Sequence, residues 1–181
     1  MSTSLGELSA SPAISVILPV LNEEPHLEES VLAILSQDYQ GIFEVILALG
    51  PSQDRTNEIA NALAARDNRV KLVSNPTGKT AAGLNLAIAS SQSSVIVRVD
   101  GHAKIPNNYL SLAIKILRET GAVNVGGVMA AEGISKFEKA VARAMRSPLG
   151  VGASRFHTGG DAGEVDTVYL GAFRREAIVA A

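Results

Sequence analysis

No cysteine occurs among the 181 residues, which excludes a disulfide framework and thiolate metal ligation and permits a reducing compartment. Aromatic residues are only 4% of the chain, so the stacking platforms that single-stranded nucleic acids use are scarce. An excess of positive charge is missing too. Sixteen Lys and Arg stand against 18 Asp and Glu, a formal net charge of −2, which argues against a general polyanion binder and predicts no nucleic-acid partner. No apolar run approaches the ~20 residues that span a bilayer. The opening "MSTSLGELSASPA" has no basic flank followed by an apolar core, so it does not read as a signal peptide. These absences predict a soluble or at most peripheral chain with a cytoplasmic location. What is present suits a packed core: 46% hydrophobic and 19% charged residues, in a length typical of one domain.

Residues 1–13 are rich in Ser, Ala and Pro and are expected to form a flexible lead-in. Beyond them apolar runs alternate with helical periodicity. "ISVILPV" (14–20), "FEVILAL" (43–49), "RVKLVSN" (69–75) and "SVIVRVD" (94–100) read as strands buried on both faces. Between them Leu27, Val31, Ile34 and Leu35 share one helical face, with Pro25 suited to a first turn. Ile59 and Leu63 align in a second helix, for which Ser52 or Asp54 is a candidate cap. Thr80 opens a third, with Ala81, Leu84 and Ile88 on one side. Leu110, Ala113, Ile114 and Leu117 mark a fourth, which Gly121 suits as a stop. Further on, 124–132 reads as a weaker strand and Phe137, Ala140, Val141 and Ala144 as a helix. Residues 147–163, with five glycines, read as a loop, 164–173 as a strand, and a last helix starts near Arg175. Four βα units in succession predict an α/β fold with a mostly parallel central sheet and helices on both faces. No internal repeat or second domain is visible. Ligands of such sheets bind beyond the carboxyl ends of the strands.

Two phosphate-binding motifs fail. "GKT" (78–80) belongs to a phosphate loop only with glycine five residues before Gly78, where Val73 stands. After the first strand the chain reads "PVLNEE", not the glycine-rich turn of a dinucleotide fold. Asp100 and His102, delivered one residue apart to a strand end, are stronger candidates. A carboxylate and an imidazole can share a Mg²⁺ or Mn²⁺ ion that also takes phosphate oxygens. The alternative is that Asp100 caps a turn and His102 is solvated. Lys79, near a helix start, can meet a phosphate or simply water. Glu23 and Glu24 can meet a ribose or complement a helix dipole. Asp54 reads as a cap rather than a catalyst. Arg143, Arg146, Arg155 and His157 surround the glycine-rich loop and could meet an anionic acceptor, with a solvated surface as the alternative. Asp161, Glu164 and Asp166 read as loop solvation.

The segment "SVILPVLNEEPHLEESVLAILSQDY" resembles the opening of the family 2 glycosyltransferases. "EVILALGPSQDRTNEIA", "NPTGKTAAGLNLAI" and "VIVRVDGHAKIPNNYL" follow in that family's order, and "VDTVYLGAFRREAI" is similar to its later, acceptor-side segment. The nearest likeness is to bacterial exopolysaccharide enzymes of the succinoglycan glucosyltransferase type. The resemblance covers residues 14–181. It implies the GT-A fold, a Rossmann-like α/β sandwich, and inverting transfer from a nucleotide-sugar, by default a UDP-hexose, to a polysaccharide or lipid-linked acceptor. It also implies a divalent metal, Mn²⁺ or Mg²⁺. On the same resemblance Pro19, Leu21 and Glu23 line the nucleoside pocket, Lys79 is a basic group near the donor, and Asp100 with His102 is the metal and diphosphate pair.

Two departures stand out. The acidic residues that many members carry after the second strand are replaced by Leu49 and Gly50. The family's general base is expected beyond Ala181, so residues 14–181 are expected to be a C-terminally incomplete glycosyltransferase domain, whose parent protein has a possible membrane association at the inner face. The alternatives are a nucleotidyltransferase-like enzyme and a non-catalytic, truncated nucleotide-binding fragment.

Overall fold

The computed structural model describes residues 6–129, 140, 163–165 and 167–180. Its first strands, β1 (Ile14–Val20) and β2 (Phe43–Leu49), fall where apolar residues run without interruption. β3 (Val70–Ser74) and β4 (Val95–Arg98) follow, each shorter than expected. β5 (Asn124–Gly127) and β6 (Tyr169–Arg174) complete a six-stranded sheet of order β3-β2-β1-β4-β6-β5. β1 pairs in parallel with β2 and β4, and β2 with β3. β6 lies antiparallel between β4 and β5, which makes the sheet mixed at one side. The chain leaves β1 for β2 on one side and returns to β4 on the other. That reversal puts a topological switch point, where α/β sheets bind ligands, between the carboxyl ends of β1 and β4.

Helices cover both faces because the strands are apolar on both. Ile14, Val16, Leu18 and Val20 face α1 (Leu27–Leu35), α2 (Thr56–Arg66) and α4 (Tyr109–Thr120), which contribute Leu27, Val31, Ile34, Ala60, Leu63, Leu110 and Leu117 to one core. Ile17, Ile46, Ala48 and Ile96 form a smaller core on the opposite face. It lies under α3 (Thr80–Ser90) and under Ile178 of α5 (Arg175–Val179). α4 buries the four residues expected of it and stops at Gly121, whose φ of +69° is the left-handed conformation glycine adopts without strain.

Several expectations need correction. α3 buries Gly83 and Ala87, with Leu84 and Ile88 only partly covered and Ala81 exposed. A Cβ at Gly83 would lie 2.8 Å from Asn75 Nδ2 and 3.3 Å from Ala48 Cβ, so close packing on small residues sets this face. Pro25 sits in the turn before α1, which begins two residues later. β6 starts at Tyr169 rather than at 164, and Glu164, Val165 and Thr167 are exposed. The expected strand 124–132 ends at Gly127, and residues 130–132 lie outside the described residues. So do the expected helix around 137–144 apart from Ala140, the glycine-rich loop up to 162, Arg143, Arg146, Arg155, His157, Asp161 and Asp166. Described residues of the lead-in have fixed partners. Arg174 Nη1 donates to Gly6 O at 2.7 Å, Tyr39 O–H to Pro12 O at 2.5 Å, and Leu8 packs on the core. Among the described residues no helix is long and apolar enough to cross a membrane.

At the amino-terminal edge of the sheet lies a compact polar network. Ser15 Oγ donates to Glu44 Oε1 at 2.6 Å and sits 2.6 Å from Ser91 Oγ and 2.8 Å from Ser93 Oγ. A hydroxyl has one proton, so the two neighbouring serines supply the other bonds. Lys71 Nζ pairs with Glu44 Oε2 at 2.5 Å.

Candidate functional site

At the opposite edge, the loops leaving β1, β2 and β4 converge with the start of α3. The β1–α1 and β2–α2 loops are stitched together. Asn22, with φ +55°, turns the chain, a conformation Asn tolerates better than most residues. Its N–H donates to Ser52 Oγ (3.1 Å) and its Oδ1 accepts from Gln53 N–H (2.8 Å). Glu24 N–H donates to Asp54 Oδ2 (3.1 Å), and Glu24 Oε2 accepts from Arg55 N–H (3.0 Å). Glu23 N–H donates to Thr56 Oγ1 at 2.7 Å. Arg55 occupies the cap position of α2 without a side-chain cap bond. Asp54 does the capping, as its Oδ1 accepts from both the N–H and the hydroxyl of Thr56. Those bonds, the hydroxyl's foremost, hold the Asp54 carboxyl below its ordinary pKa. Asp54 and Glu24 are thereby committed to structure, and Ser52 serves Asn22 rather than the helix.

Leu21 is 40% exposed and forms a floor with two glycines. A Cβ on Gly50 would come within 3.0 Å of Leu21 Cδ1 and 3.2 Å of Gly78 Cα, so both loops close on the leucine only without side chains there. Beside this floor a cleft of about 420 Å³ opens over the ends of β2 and β3, lined by Leu49, Gly50, Asn57, Asn61, Ser74 and Asn75 among others. Pro19 is half-buried, with its Cβ near Gly83 of α3. Lys79 stands at the N-cap of α3, whose first turn has no side-chain cap. Buried Asn75 fixes that corner: its Nδ2 donates to Lys79 O (3.1 Å) and its carbonyl accepts from Gly78 N–H (3.0 Å). Among the described residues no hydrogen bond or ion pair engages the exposed Lys79 ammonium, so it and the helix N-terminus together form an electropositive corner.

The β4 end splits the expected pair. Asp100 Oδ1 accepts from Arg98 Nε (3.2 Å) and Nη2 (3.0 Å). His102 Nδ1 lies 2.9 Å from Glu23 Oε1. Among the described residues no hydrogen bond joins Asp100 to His102, and none falls on Asp100 Oδ2 or His102 Nε2. The turn itself is firm: Ala103 N–H donates to Asp100 O at 2.9 Å, and Ser30 of α1 donates to Ala103 O at 2.8 Å. No group of three or more His, Cys, Asp or Glu among the described residues could hold a metal unaided. One carboxylate and one imidazole, each with an uncommitted donor atom, fit an ion that takes its remaining ligands from phosphates and water.

Two site residues were missed by sequence reasoning. Arg98 ends β4 and Asp100 follows two residues later, a spacing visible in "VRVD" that puts both side chains on one side while the chain stays extended. Tyr169, at the start of β6, has its phenol pKa raised by burial and then by the Asp100 charge, with Arg98 acting against it. Nothing local marks Tyr169, because β6 reaches β4 across the sheet. Beside it the Tyr109 phenol is pushed up to about 12, first by burial and then by Tyr169. Tyr109 O–H donates to the carbonyl of Leu170, which holds a left-handed φ of +49°.

With this geometry in place, similarities to known proteins carry weight. The family model of Glycosyl transferase family 2 matches residues 15–179. The succinoglycan biosynthesis protein ExoA of Rhizobium meliloti (strain 1021) is 34% identical over 158 residues, 86% of this chain and 48% of that protein. An uncharacterized glycosyltransferase of Haemophilus influenzae is 35% identical over 117 residues, 64% of this chain and 46% of its own length. The chain thus spans about half the length of the curated relatives it matches. Among solved structures, S. aureus TarS 1–349 superposes with a TM-score of 0.69 at 18% identity, covering 93% of this chain and 48% of that one. The mannosyltransferase PcManGT of Pyrobaculum calidifontis, solved with GDP-Man and Mn²⁺, gives 0.68 at 24%, covering 94% and 46%. These likenesses establish the GT-A type of fold.

Proposed function

This chain belongs to Glycosyl transferase family 2, and we propose that its switch-point site binds a nucleotide-sugar and a divalent cation for inverting transfer of a hexosyl group to a polysaccharide or lipid-linked acceptor. UDP-hexose is the donor and Mn²⁺ or Mg²⁺ the cation. The observation that carries this reading is that the carboxyl edge of one sheet holds three groups with an atom no described residue engages: Asp100 Oδ2, His102 Nε2 and the Lys79 ammonium at an uncapped helix start. The cation would be held by Asp100 and His102 and would offset negative charge on the departing diphosphate. Lys79 adds a point charge and the α3 N-terminus adds backbone N–H groups. Arg98 holds the Asp100 carboxylate by one oxygen and leaves the other for the ion. Leu21, between Gly50 and Gly78, offers an apolar wall to the nucleoside, and half-buried Pro19 lies in β1 just before it. The cleft beside it has amide and hydroxyl groups where many relatives have carboxylates, so the nucleobase meets neutral partners here.

Relatives support the ligand class: TarS 1–349 was solved with UDP and with UDP-GlcNAc, and PcManGT with GDP-Man and Mn²⁺. Calorimetric titration of the chain with UDP, with and without Mn²⁺, tests the reading. Binding should depend on Mn²⁺, and Asp100→Asn should weaken it by about 100-fold, the upper end of what losing even the outer partner of a metal ligand costs. Glu24→Gln, whose carbonyl oxygen still accepts from Arg55 N–H, should bind as wild type does. Equal affinity of the two variants would remove Asp100 from the site.

A further inference from the structure

Glu23, expected from the resemblance at the nucleoside pocket, lies with its Oε1 2.9 Å from His102 Nδ1. We propose that it is a positioning residue for the cation site, holding the His102 ring so that Nε2, and not Nδ1, is presented to a diphosphate-bound divalent ion. The inference rests on the cation reading above and names what makes an imidazole serviceable in it.

Glu23 Oε1 lies 2.9 Å from His102 Nδ1, and an ionised carboxylate only accepts. Nδ1 therefore carries the proton, and in the neutral ring the lone pair sits on Nε2, the nitrogen with no intramolecular partner among the described residues. The Glu23 side chain is 18% exposed and the imidazole 60%, so the carboxylate is the buried anchor and the ring the open end. Glu23 N–H is fastened to Thr56 Oγ1, which fixes where its side chain leaves the backbone. Its side chain then lies across Gly101. A Cβ there would come within 2.9 Å of Glu23 Cγ and 3.2 Å of Cδ, so glycine at that position is what lets the carboxylate reach past the turn to His102. The neighbouring Glu24 points to the β2–α2 loop and accepts from Arg55 N–H, whereas Glu23 turns to the β4 end. Metal-bound histidines depend on such a carboxylate on the far nitrogen, both for ring orientation and for basicity. Because imidazole suits Mn²⁺ better than Mg²⁺, the same bond sharpens the choice between them.

Three variants test this: Glu23→Ala removes the anchor, Glu23→Gln keeps an accepting oxygen, and Gly101→Ala displaces the side chain without changing it. Nitrogen–proton correlation spectra of the metal-free chain, recorded with the ring neutral, should show the Nδ1–H tautomer of His102 in wild type. The same spectra should show a tautomer mixture in Glu23→Ala and Gly101→Ala. With UDP present, Mn²⁺ affinity should fall by about 10–100-fold in those two variants and only a few-fold in Glu23→Gln, while metal-free UDP affinity and the thermal midpoint of Glu23→Ala hold. Metal-free UDP binding lost in Glu23→Ala with Mn²⁺ affinity intact would place Glu23 in the nucleoside pocket and overturn the inference. An unchanged tautomer would do the same. Wild-type UDP binding indifferent to Mn²⁺ would bring down the cation reading and this inference together, whereas Mn²⁺-dependent binding that Glu23→Ala leaves intact would sink the inference alone.

Discussion

At the amino-terminal edge of the sheet, Ser15, Ser91, Ser93, Glu44 and Lys71 spend their polar atoms on one another. At the carboxyl edge, Asp100, His102 and Lys79 each keep an atom that no described residue engages. Both edges sit on the same strands, so the difference is not one of local conformation. Ser15 is fully buried on the central strand, where an unpaired hydroxyl is costly and the network is a condition of folding. His102 and Lys79 are exposed, where water satisfies whatever the protein leaves open. A binding edge can thus stay uncommitted at little cost to stability, provided its backbone is fixed from behind. The stitched β1–α1 and β2–α2 loops and the Ser30 bond to Ala103 do that fixing.

Substitutions at the two edges should separate binding from stability. The largest effect is the loss on Asp100→Asn, about 100-fold in Mn²⁺-dependent UDP affinity, with a thermal midpoint near that of wild type. Next is Ser15→Ala, which strips Glu44, Ser91 and Ser93 of a shared partner and should cost about 1–3 kcal/mol of stability in denaturant unfolding, with UDP affinity unchanged. If Ser15→Ala weakened UDP binding at constant stability, the two edges would be coupled and the division of labour would fail. Smaller again, Lys79→Met should weaken UDP binding by about 5-fold, the loss of one exposed charge–phosphate contact worth roughly 1 kcal/mol, and should do so less at high salt.

Much of the carboxyl edge could be read along the chain, and its pairings could not. β1 and β2 were legible to the residue because a strand buried on both faces is an unbroken apolar run between turn residues. The α4 face was legible because its large residues recur at helical spacing. α3 was misread for the opposite reason: Gly83 and Ala87 make the contact, and small residues carry no hydrophobic signal. The placement of β6 between β4 and β5 is a matter of long-range pairing, which leaves no trace in either segment. The candidate site divides the same way. Asp100 and His102 announced themselves at a strand end. The bond from His102 to Glu23 spans 79 residues of sequence, and only the fold reports it.

The least effect is expected from the backbone stitching itself, and its pH dependence tells it apart from the edges. Asp54 accepts from Thr56 and from Glu24 N–H, and its folded pKa lies below the ordinary 3.8. A carboxyl with a lowered folded pKa stabilises the fold above its unfolded value, and the contribution fades as the pH falls through the folded one. In Asp54→Asn one oxygen still serves Thr56, but the amide NH₂ faces Glu24 N–H, donor to donor. The variant should therefore melt slightly below wild type at neutral pH, and the gap should close as the pH is taken below 3.8, when wild type loses what the variant never had. UDP affinity measured at neutral pH should fall only in step with any loosening of the Asn22–Glu24 segment. A gap that widens in acid would mean that Asp54 is not held ionised by these bonds, and the carboxyl edge would then need another source of rigidity.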